Sequence, residues 1–119
     1  LSKQSLPDDG CLDSFNVLSA LLGEADAGGR NHLVQQNNGN NGTYALRSNK
    51  WKLHRYDKKT ARNVVVEQSL TNSKVPQFQL FNLDDDPAET KNVISDHPAI
   101  AVRLKSQLAG IIKDGRSRP

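Results

Sequence analysis

The segment TYALRSNKWKLHRY, residues 43–56, decides the fold because it contains two short strand patterns separated by a turn signal. Residues 44–48 favour one strand, and Ser48-Asn49 favours a tight turn into residues 50–56. In the second half, Trp51 and Leu53 alternate with polar side chains, which is the period-two pattern of a half-buried strand. The sequence therefore predicts an antiparallel hairpin with Trp51 at the centre of the core.

Two further strand patterns flank this hairpin, and a third is weaker. Leu33-Val34 opens a strand that runs into a polar segment, where Asn38-Gly39 and Asn41-Gly42 offer the positive φ angles that hairpin turns require. Residues 78–83 form a strand pattern that ends in an acidic turn containing a proline. Residues 64–66 are three valines and predict a short additional strand.

Apolar residues recur at helical spacing between residues 15 and 22, near the start of the chain. Asp13 or Ser14 offers a side-chain cap for this segment, and Gly23 lies where a helix would stop. We expect a short amphipathic helix of about ten residues.

The carboxyl-terminal segment predicts a longer helix. Ser95 or Asp96 is the expected cap, Pro98 suits the first turn, and Gly115 suits the end. Its apolar face consists of Ile100, Leu104, Leu108, Ile111 and Ile112. The predicted fold is therefore α+β, a single domain over residues 1–119 with an antiparallel sheet of about four strands. The long helix packs on the sheet, and the short helix lies beside it.

Composition limits the size of the core and the class of function. A chain of 119 residues with 35% apolar and 24% charged residues can bury one modest core. The net charge of +3 is too small to indicate nucleic-acid binding by itself. The sequence has no run approaching the roughly 18 apolar residues of a membrane span, so we expect no membrane partner.

The residues that often carry catalysis or bind metal are poorly arranged for either role. Cys11 is the only cysteine and lacks the cationic neighbours that activate a thiolate. Asp84, Asp85, Asp86 and Glu89 lack the alternating spacing of a calcium loop, so they predict a turn instead. None of the three histidines has a serine or cysteine nucleophile and a carboxylate in the arrangement that a triad requires, although residues distant in the sequence can converge. We therefore predict no catalytic residue and no metal site in this chain.

Several short phrases resemble one protein family when they are taken in order. They are DSFN at residues 13–16, ALR at 45–47, WKL at 51–53, LFNL at 80–83 and DPAETKN at 86–92. Together they resemble the carboxyl-terminal subdomain of bacterial arylsulfatases, the formylglycine-dependent sulfatases of the alkaline-phosphatase-like superfamily, and in particular N-acetylgalactosamine-6-sulfatase-like members. The resemblance extends from about residue 6 to residue 119, and residues 58–74 are the least typical.

The resemblance implies that this chain completes a larger sulfuric ester hydrolase and is not catalytic alone. In that family the nucleophile is a cysteine in a Cys-x-Pro-x-Arg phrase, oxidised to formylglycine, and Cys11 has neither the proline nor the arginine. Formylglycine and calcium are thus implied for the amino-terminal catalytic domain of the parent, which is also this chain's expected partner. The parent would act on a sulfated substrate in the periplasm or outside the cell. An exposed apolar face could let two isolated fragments form a non-native dimer.

Four residues are candidates for the rim of the substrate cleft. Gln35, Gln36 and Asn37 stand where relatives often have a phrase containing histidine, and Arg47 lies in the strand that follows. Glutamine offers only neutral hydrogen bonds where histidine could carry charge. The alternative is that these three polar residues satisfy hairpin backbone groups or face solvent.

A second hypothesis comes from the charge of residues 44–62. This segment contains seven lysines and arginines against the single acid Asp57, with Trp51 and Tyr56 between them. Such a hairpin could form a stand-alone binding module for nucleic acid or an anionic glycan. It could equally be a solvated sheet face with its aromatic residues buried behind it. We favour the sulfatase interpretation, which predicts no nucleic-acid partner.

Overall fold

A computed structural model describes residues 7, 9–24, 30–37, 43–57 and 76–117. The elements in these ranges are α1 (Leu18–Leu21), β1 (His32–Gln36), β2 (Tyr44–Ser48), β3 (Trp51–Arg55), β4 (Phe78–Asn82) and α2 (Pro98–Asp114). The four strands form one sheet in the order β1-β2-β3-β4, with every neighbouring pair antiparallel. The α+β prediction of a four-stranded antiparallel sheet, a long carboxyl-terminal helix and a short amino-terminal helix is confirmed.

The central hairpin is formed by local turn chemistry. Ser48 lies opposite Trp51, and Asn49 between them adopts a φ of 52°, a left-handed conformation that asparagine tolerates well. The β1–β2 hairpin is extended beyond its strands by the Asn37 N–H, which donates to the Thr43 carbonyl at 3.0 Å. The turns predicted at Asn38-Gly39 and Asn41-Gly42 lie outside the described residues, as does the strand predicted at residues 64–66.

The core lies between one face of the sheet and α2. Side-chain alternation directs Leu46, Leu53 and Leu80 from three adjacent strands to this face, and all three are fully buried. The helix contributes Ala101, Leu104 and Leu108 to the same cluster. Trp51 is part of this core at 9% exposure, but the leucines occupy its most buried positions. The indole instead packs against the His97 ring, with centroids 4.7 Å apart.

The ends of α2 agree only partly with the prediction. Pro98 begins the helix and Gly115 ends it, with a φ of 65° and its N–H donating to the Ile111 carbonyl at 3.0 Å. The predicted cap at Ser95 or Asp96 is wrong, because the cap position is His97 and it makes no side-chain cap bond. Residues 94–96 form a separate turn just before the helix, so their side chains precede its free N–H groups.

Helix α1 is much shorter than predicted. It has four residues, and none of them is buried. The predicted cap is also wrong, since the Leu18 N–H donates to the Asn16 side chain at 3.0 Å. A short helix gains most of its stability from burying an apolar face, and within the described chain only Leu18 of α1 is even half-buried. Leu21 and Leu22 consequently remain 79% and 62% exposed.

Candidate functional site

The sheet face opposite α2 carries a group of polar and charged side chains that includes two ion-pair contacts to Glu89. Alternation places Gln35, Arg47, Lys52 and His54 on this face, away from the leucine core. A groove of about 380 Å³ opens there, which we call the outer groove. Its lining residues are Leu33, Gln35, Arg47, Lys52, Leu83, Pro87 and Glu89.

Two cations face each other in the outer groove. Arg47 and Lys52 are directly opposite in the β2–β3 register, and like charges in such a pair repel. The Lys52 ammonium donates to Glu89 Oε1 at 2.5 Å, so the glutamate neutralises one of the two charges. The Arg47 Nε donates only to the Asn49 carbonyl, at 3.2 Å, and no carboxylate within the described ranges pairs with it. Among the described residues, the positive charge of Arg47 in the outer groove is therefore not compensated by a carboxylate.

The loop between β4 and α2 holds Glu89 in position. Glu89 has a φ of 57°, which is unfavourable for a residue with a side chain. The Asp86 carboxylate braces the loop by accepting the Lys91 N–H at 2.8 Å and the Thr90 hydroxyl at 3.0 Å. These bonds, led by those from the backbone, lower the pKa of Asp86. The Asn92 side chain then accepts the Leu80 N–H at 3.0 Å and fastens the loop to the edge of β4.

His54 lies beneath the same glutamate. Its Nε2 is 2.7 Å from Glu89 Oε2 but lacks the alignment of a hydrogen bond, and its ring meets the edge of Phe81 at 5.3 Å. Burial is the main cause that lowers the pKa of His54; Glu89 opposes this and the charge of Lys52 adds to it. Burial alone would raise the pKa of Glu89, but Lys52 and His54 outweigh burial and lower it. The arrangement at neutral pH is a glutamate anion between a lysine cation and a neutral histidine.

The four predicted rim residues do not lie together. Gln35 and Arg47 both line the outer groove, whereas Gln36 faces the opposite side of the sheet and Asn37 follows the end of β1. Consecutive strand residues must point to opposite faces, so three adjacent residues cannot share one groove. Sequence reasoning did not assign Lys52 or Glu89 to the site. The opposition of two cations in a predicted hairpin was the available signal that an acid would lie nearby.

A second cleft, of about 290 Å³, lies on the helix side and includes Gln36. The Asp13 side chain accepts the Ser117 N–H there at 2.8 Å, and the Arg30 guanidinium donates to the Asp13 carbonyl at 2.8 Å. Arg30 also lies over the Phe15 ring, 4.9 Å from its centroid. These contacts fasten the amino-terminal segment to the end of α2. The charge of Arg30 is thus already engaged in a structural contact.

The acidic turn does not gather its carboxylates at one point. Asp85 accepts a hydrogen bond from Asn82, Asp86 braces its own loop, and Glu89 contacts Lys52. Across the described residues, no group of three histidine, cysteine, aspartate or glutamate side chains is placed to hold a metal ion. Cys11 is a free, exposed thiol. The calcium and formylglycine implied by the resemblance therefore have no fitting residues in the described part of this chain.

The basic segment offers little of the stacking surface that a nucleic-acid site would use. Trp51 is buried in the core, and the ammonium of Lys50 is 5.5 Å from the centroid of its ring. Base stacking requires an exposed aromatic face, which this indole does not present. Residues 58–62, which carry the remaining cations of the segment, lie outside the described residues. In the described ranges, no helix is long and apolar enough to cross a bilayer.

Comparison with known proteins gives consistent similarities. No family model matches the chain. An N-acetylgalactosamine-6-O-sulfatase from Bacteroides thetaiotaomicron is 35% identical over 111 residues, which are 93% of this chain and 21% of that protein. A solved 6S-sulfatase structure, connected with the metabolism of multiple glycosaminoglycans by the same bacterium, is 33% identical with a TM-score of 0.64. The match covers 92% of this chain and 22% of that one, so the chain spans about a fifth of both proteins.

Proposed function

The chain is homologous to the carboxyl-terminal region of a bacterial N-acetylgalactosamine-6-O-sulfatase, and from this premise we propose that it forms one wall of a sulfatase substrate cleft. It corresponds to a fragment of a larger sulfatase polypeptide. We propose that the outer groove faces the substrate and that Arg47 and Gln35 contact it. The substrate would be a sulfated sugar related to the one named for the relative.

The uncompensated charge of Arg47 is the observation that carries this proposal. A sulfate ester remains anionic at every accessible pH and is bound best by a planar guanidinium with several N–H donors. Glu89 neutralises and restrains Lys52, so Arg47 is the cation of the groove that is left to meet a ligand. The Gln35 amide can donate to a sulfate or hydroxyl oxygen beside the guanidinium. The groove thus has the charge and the donors for an anionic sugar.

Bond cleavage in this proposal belongs to the rest of the polypeptide. The formylglycine nucleophile and the calcium ion that the resemblance implies would supply covalent and electrostatic catalysis from that part when it is present. The residues of this chain would bind and orient the sugar, a role that contributes to positioning the reacting atoms. Their loss should therefore affect substrate binding more than the chemical step.

The test is Arg47→Ala in the full-length polypeptide, with N-acetylgalactosamine 6-sulfate as substrate and released sulfate measured by ion chromatography. Loss of a charge-assisted contact should raise KM about tenfold with little change in kcat. Arg103→Ala is the matched control, because Arg103 is an exposed arginine on α2 outside the groove. Unchanged KM for the Arg47 variant, or an equal change for the control, would reject a substrate-contacting role.

The isolated 119-residue chain provides a complementary test. We expect it to release no sulfate from an aryl sulfate, because the described residues contain no convergent nucleophile and metal group. Addition of calcium should not change that result. Turnover that survives rigorous purification and follows the chain through successive columns would refute the proposed division of roles.

A further inference from the structure

The apolar surface of this chain is concentrated near its amino end. Among the described residues, six large apolar side chains are exposed, and four of them are Leu12, Val17, Leu21 and Leu22. Leu21 and Leu22 are 79% and 62% exposed, whereas Leu12 and Val17 are little more than one third exposed. Single exposed leucines are ordinary, but in α1 only Leu18 is half-buried and no residue is fully buried, so the described chain covers this helix incompletely. We call these four residues the α1 face.

The segment that carries the α1 face is anchored to the body of the domain. Asp13 accepts the Ser117 N–H, and the Arg30 guanidinium donates to the Asp13 backbone. Phe15 packs edge-on against His32 with ring centroids 5.5 Å apart. One side of the segment is therefore fixed to the ends of β1 and α2, while Leu21 and Leu22 remain mostly exposed. These side chains are therefore exposed although long-range contacts hold the segment in a defined position.

We propose that the α1 face docks against the amino-terminal remainder of the same polypeptide. The inference rests on the proposed function, because it requires the larger sulfatase chain of which the homologous relative is an example. About four fifths of that relative lies outside the matched region, and a polypeptide that precedes this carboxyl-terminal region joins it just before the α1 segment. The covalent connection gives the preceding part a high effective concentration at this face.

A second copy of the chain fits the α1 face less well. Stable dimers bury roughly 800 Å² on each partner, and four partly exposed side chains fall short of that area. A tethered partner needs less area, because the connection has already reduced the entropy lost on association. The outer groove is charged and does not offer a comparable apolar surface.

Hydrogen exchange measured by mass spectrometry tests the docking directly. The full-length polypeptide and the 119-residue chain are compared under identical conditions, with residues 104–108 of α2 as the internal reference. We expect amides of residues 18–22 to exchange at least about tenfold more slowly in the full-length polypeptide, while the reference is no faster there. Equal exchange of the α1 amides in both proteins would overturn the proposal. A reading frame with no polypeptide before Leu1 would also overturn it.

A pair of variants adds a second readout. Leu21→Ser combined with Leu22→Ser should lower the Tm of the full-length polypeptide by a few degrees and leave the Tm of the 119-residue chain almost unchanged. Val102→Ser is the matched control, because Val102 is 63% exposed on α2, and it should change neither protein. If the double variant instead abolishes a dimer of the 119-residue chain without affecting the full-length Tm, a second copy is the occupant and the proposal is wrong.

These measurements separate the docking from the proposed function. Slow exchange at α1 in a polypeptide that releases no sulfate would retain the docking surface and reject the sulfatase role. Sulfate release by a polypeptide whose α1 amides exchange as fast as in the 119-residue chain would retain the sulfatase role and reject the docking surface. Neither readout depends on the other.

Discussion

The ion pair between Lys52 and Glu89 should stabilise the fold more than an ordinary surface pair. Exposed pairs contribute about 0.2–1 kcal/mol. Here Nζ and Oε1 are 2.5 Å apart, and the two side chains are only 19% and 24% exposed. Glu89 also screens Lys52 from the like charge of Arg47, which lies directly opposite in the β2–β3 register. We therefore expect a coupling free energy of about 1.5 kcal/mol between Lys52 and Glu89.

A double-mutant cycle with Lys52→Met and Glu89→Gln measures this coupling. Urea unfolding of the four proteins at about pH 7.5 gives each free energy of unfolding, provided that the denaturant slope stays constant. Because the pair is partly buried and its two atoms are in direct contact, we expect about half of the coupling to persist in 1 M NaCl, where the Debye length is about 3 Å. Additivity within about 0.3 kcal/mol would refute the reasoning, since independent sites add to that precision.

The positive φ of Glu89 needs a separate control, because a substitution there changes the backbone energy as well as the charge. Both Glu89→Gly and Glu89→Ala remove the carboxylate, but only glycine adopts a φ of 57° without a steric cost. The glycine variant should therefore be more stable than the alanine variant by about 1 kcal/mol. The reverse order would show that residue 89 does not hold this conformation in solution.

Three further predictions use the same unfolding assay. Leu104→Ala should cost about 3 kcal/mol because Leu104 is fully buried, whereas Val102→Ala on the same helix should stay within about 0.5 kcal/mol. Asp13→Ala should cost about 1 kcal/mol and speed hydrogen exchange at Ser117, whose N–H it leaves unpaired. Burial lowers the pKa of His54 below 6.5, so below that pH the unfolded chain binds the proton first and stability falls with acid. His54→Gln should flatten that decline, and an unchanged slope would contradict the assignment.

The positions of the strands could be predicted from local sequence patterns, whereas the length of α1 could not. Alternation and the Asn49 turn define β2 and β3 within a few neighbouring residues, so the sequence predicted their positions well. Helix α1 has the right apolar spacing, but its length depends on a surface to pack against, which composition cannot supply. The α2 cap was also missed, because residues 94–96 form a turn of their own before the helix and leave His97 at the cap position.

The candidate site was partly predictable, because some of its residues are placed by strand alternation and others by long-range contacts. Arg47 and Gln35 reach the outer groove through alternation, which the sequence contains. Glu89 reaches it through a loop that lies 37 residues from Lys52 in the chain, and its role depends on a left-handed residue and an edge-strand contact. Local sequence patterns do not predict a contact between residues that are so far apart in the chain. The opposed cations of a hairpin only indicate that some acid should compensate one of them.

Three of the phrases that carry the family resemblance are joined to one another by contacts. Lys52 of the WKL phrase pairs with Glu89 of the acidic phrase, and Asn92 of the acidic phrase accepts the Leu80 N–H of the LFNL phrase. Asp13 of the first phrase accepts the Ser117 N–H near the end of the chain. These contacts fix the sheet, the loop and the amino-terminal segment relative to one another, and none of them requires a sulfate ester. The resemblance is therefore evidence for a shared scaffold. Under the proposed function, the choice of substrate would instead depend on residues such as Gln35, where the sequence departs from the family phrase. A relative with another substrate could keep every one of these contacts. Sequence identity in the scaffold therefore cannot distinguish one substrate from another, whereas binding measurements on variants of the outer groove can.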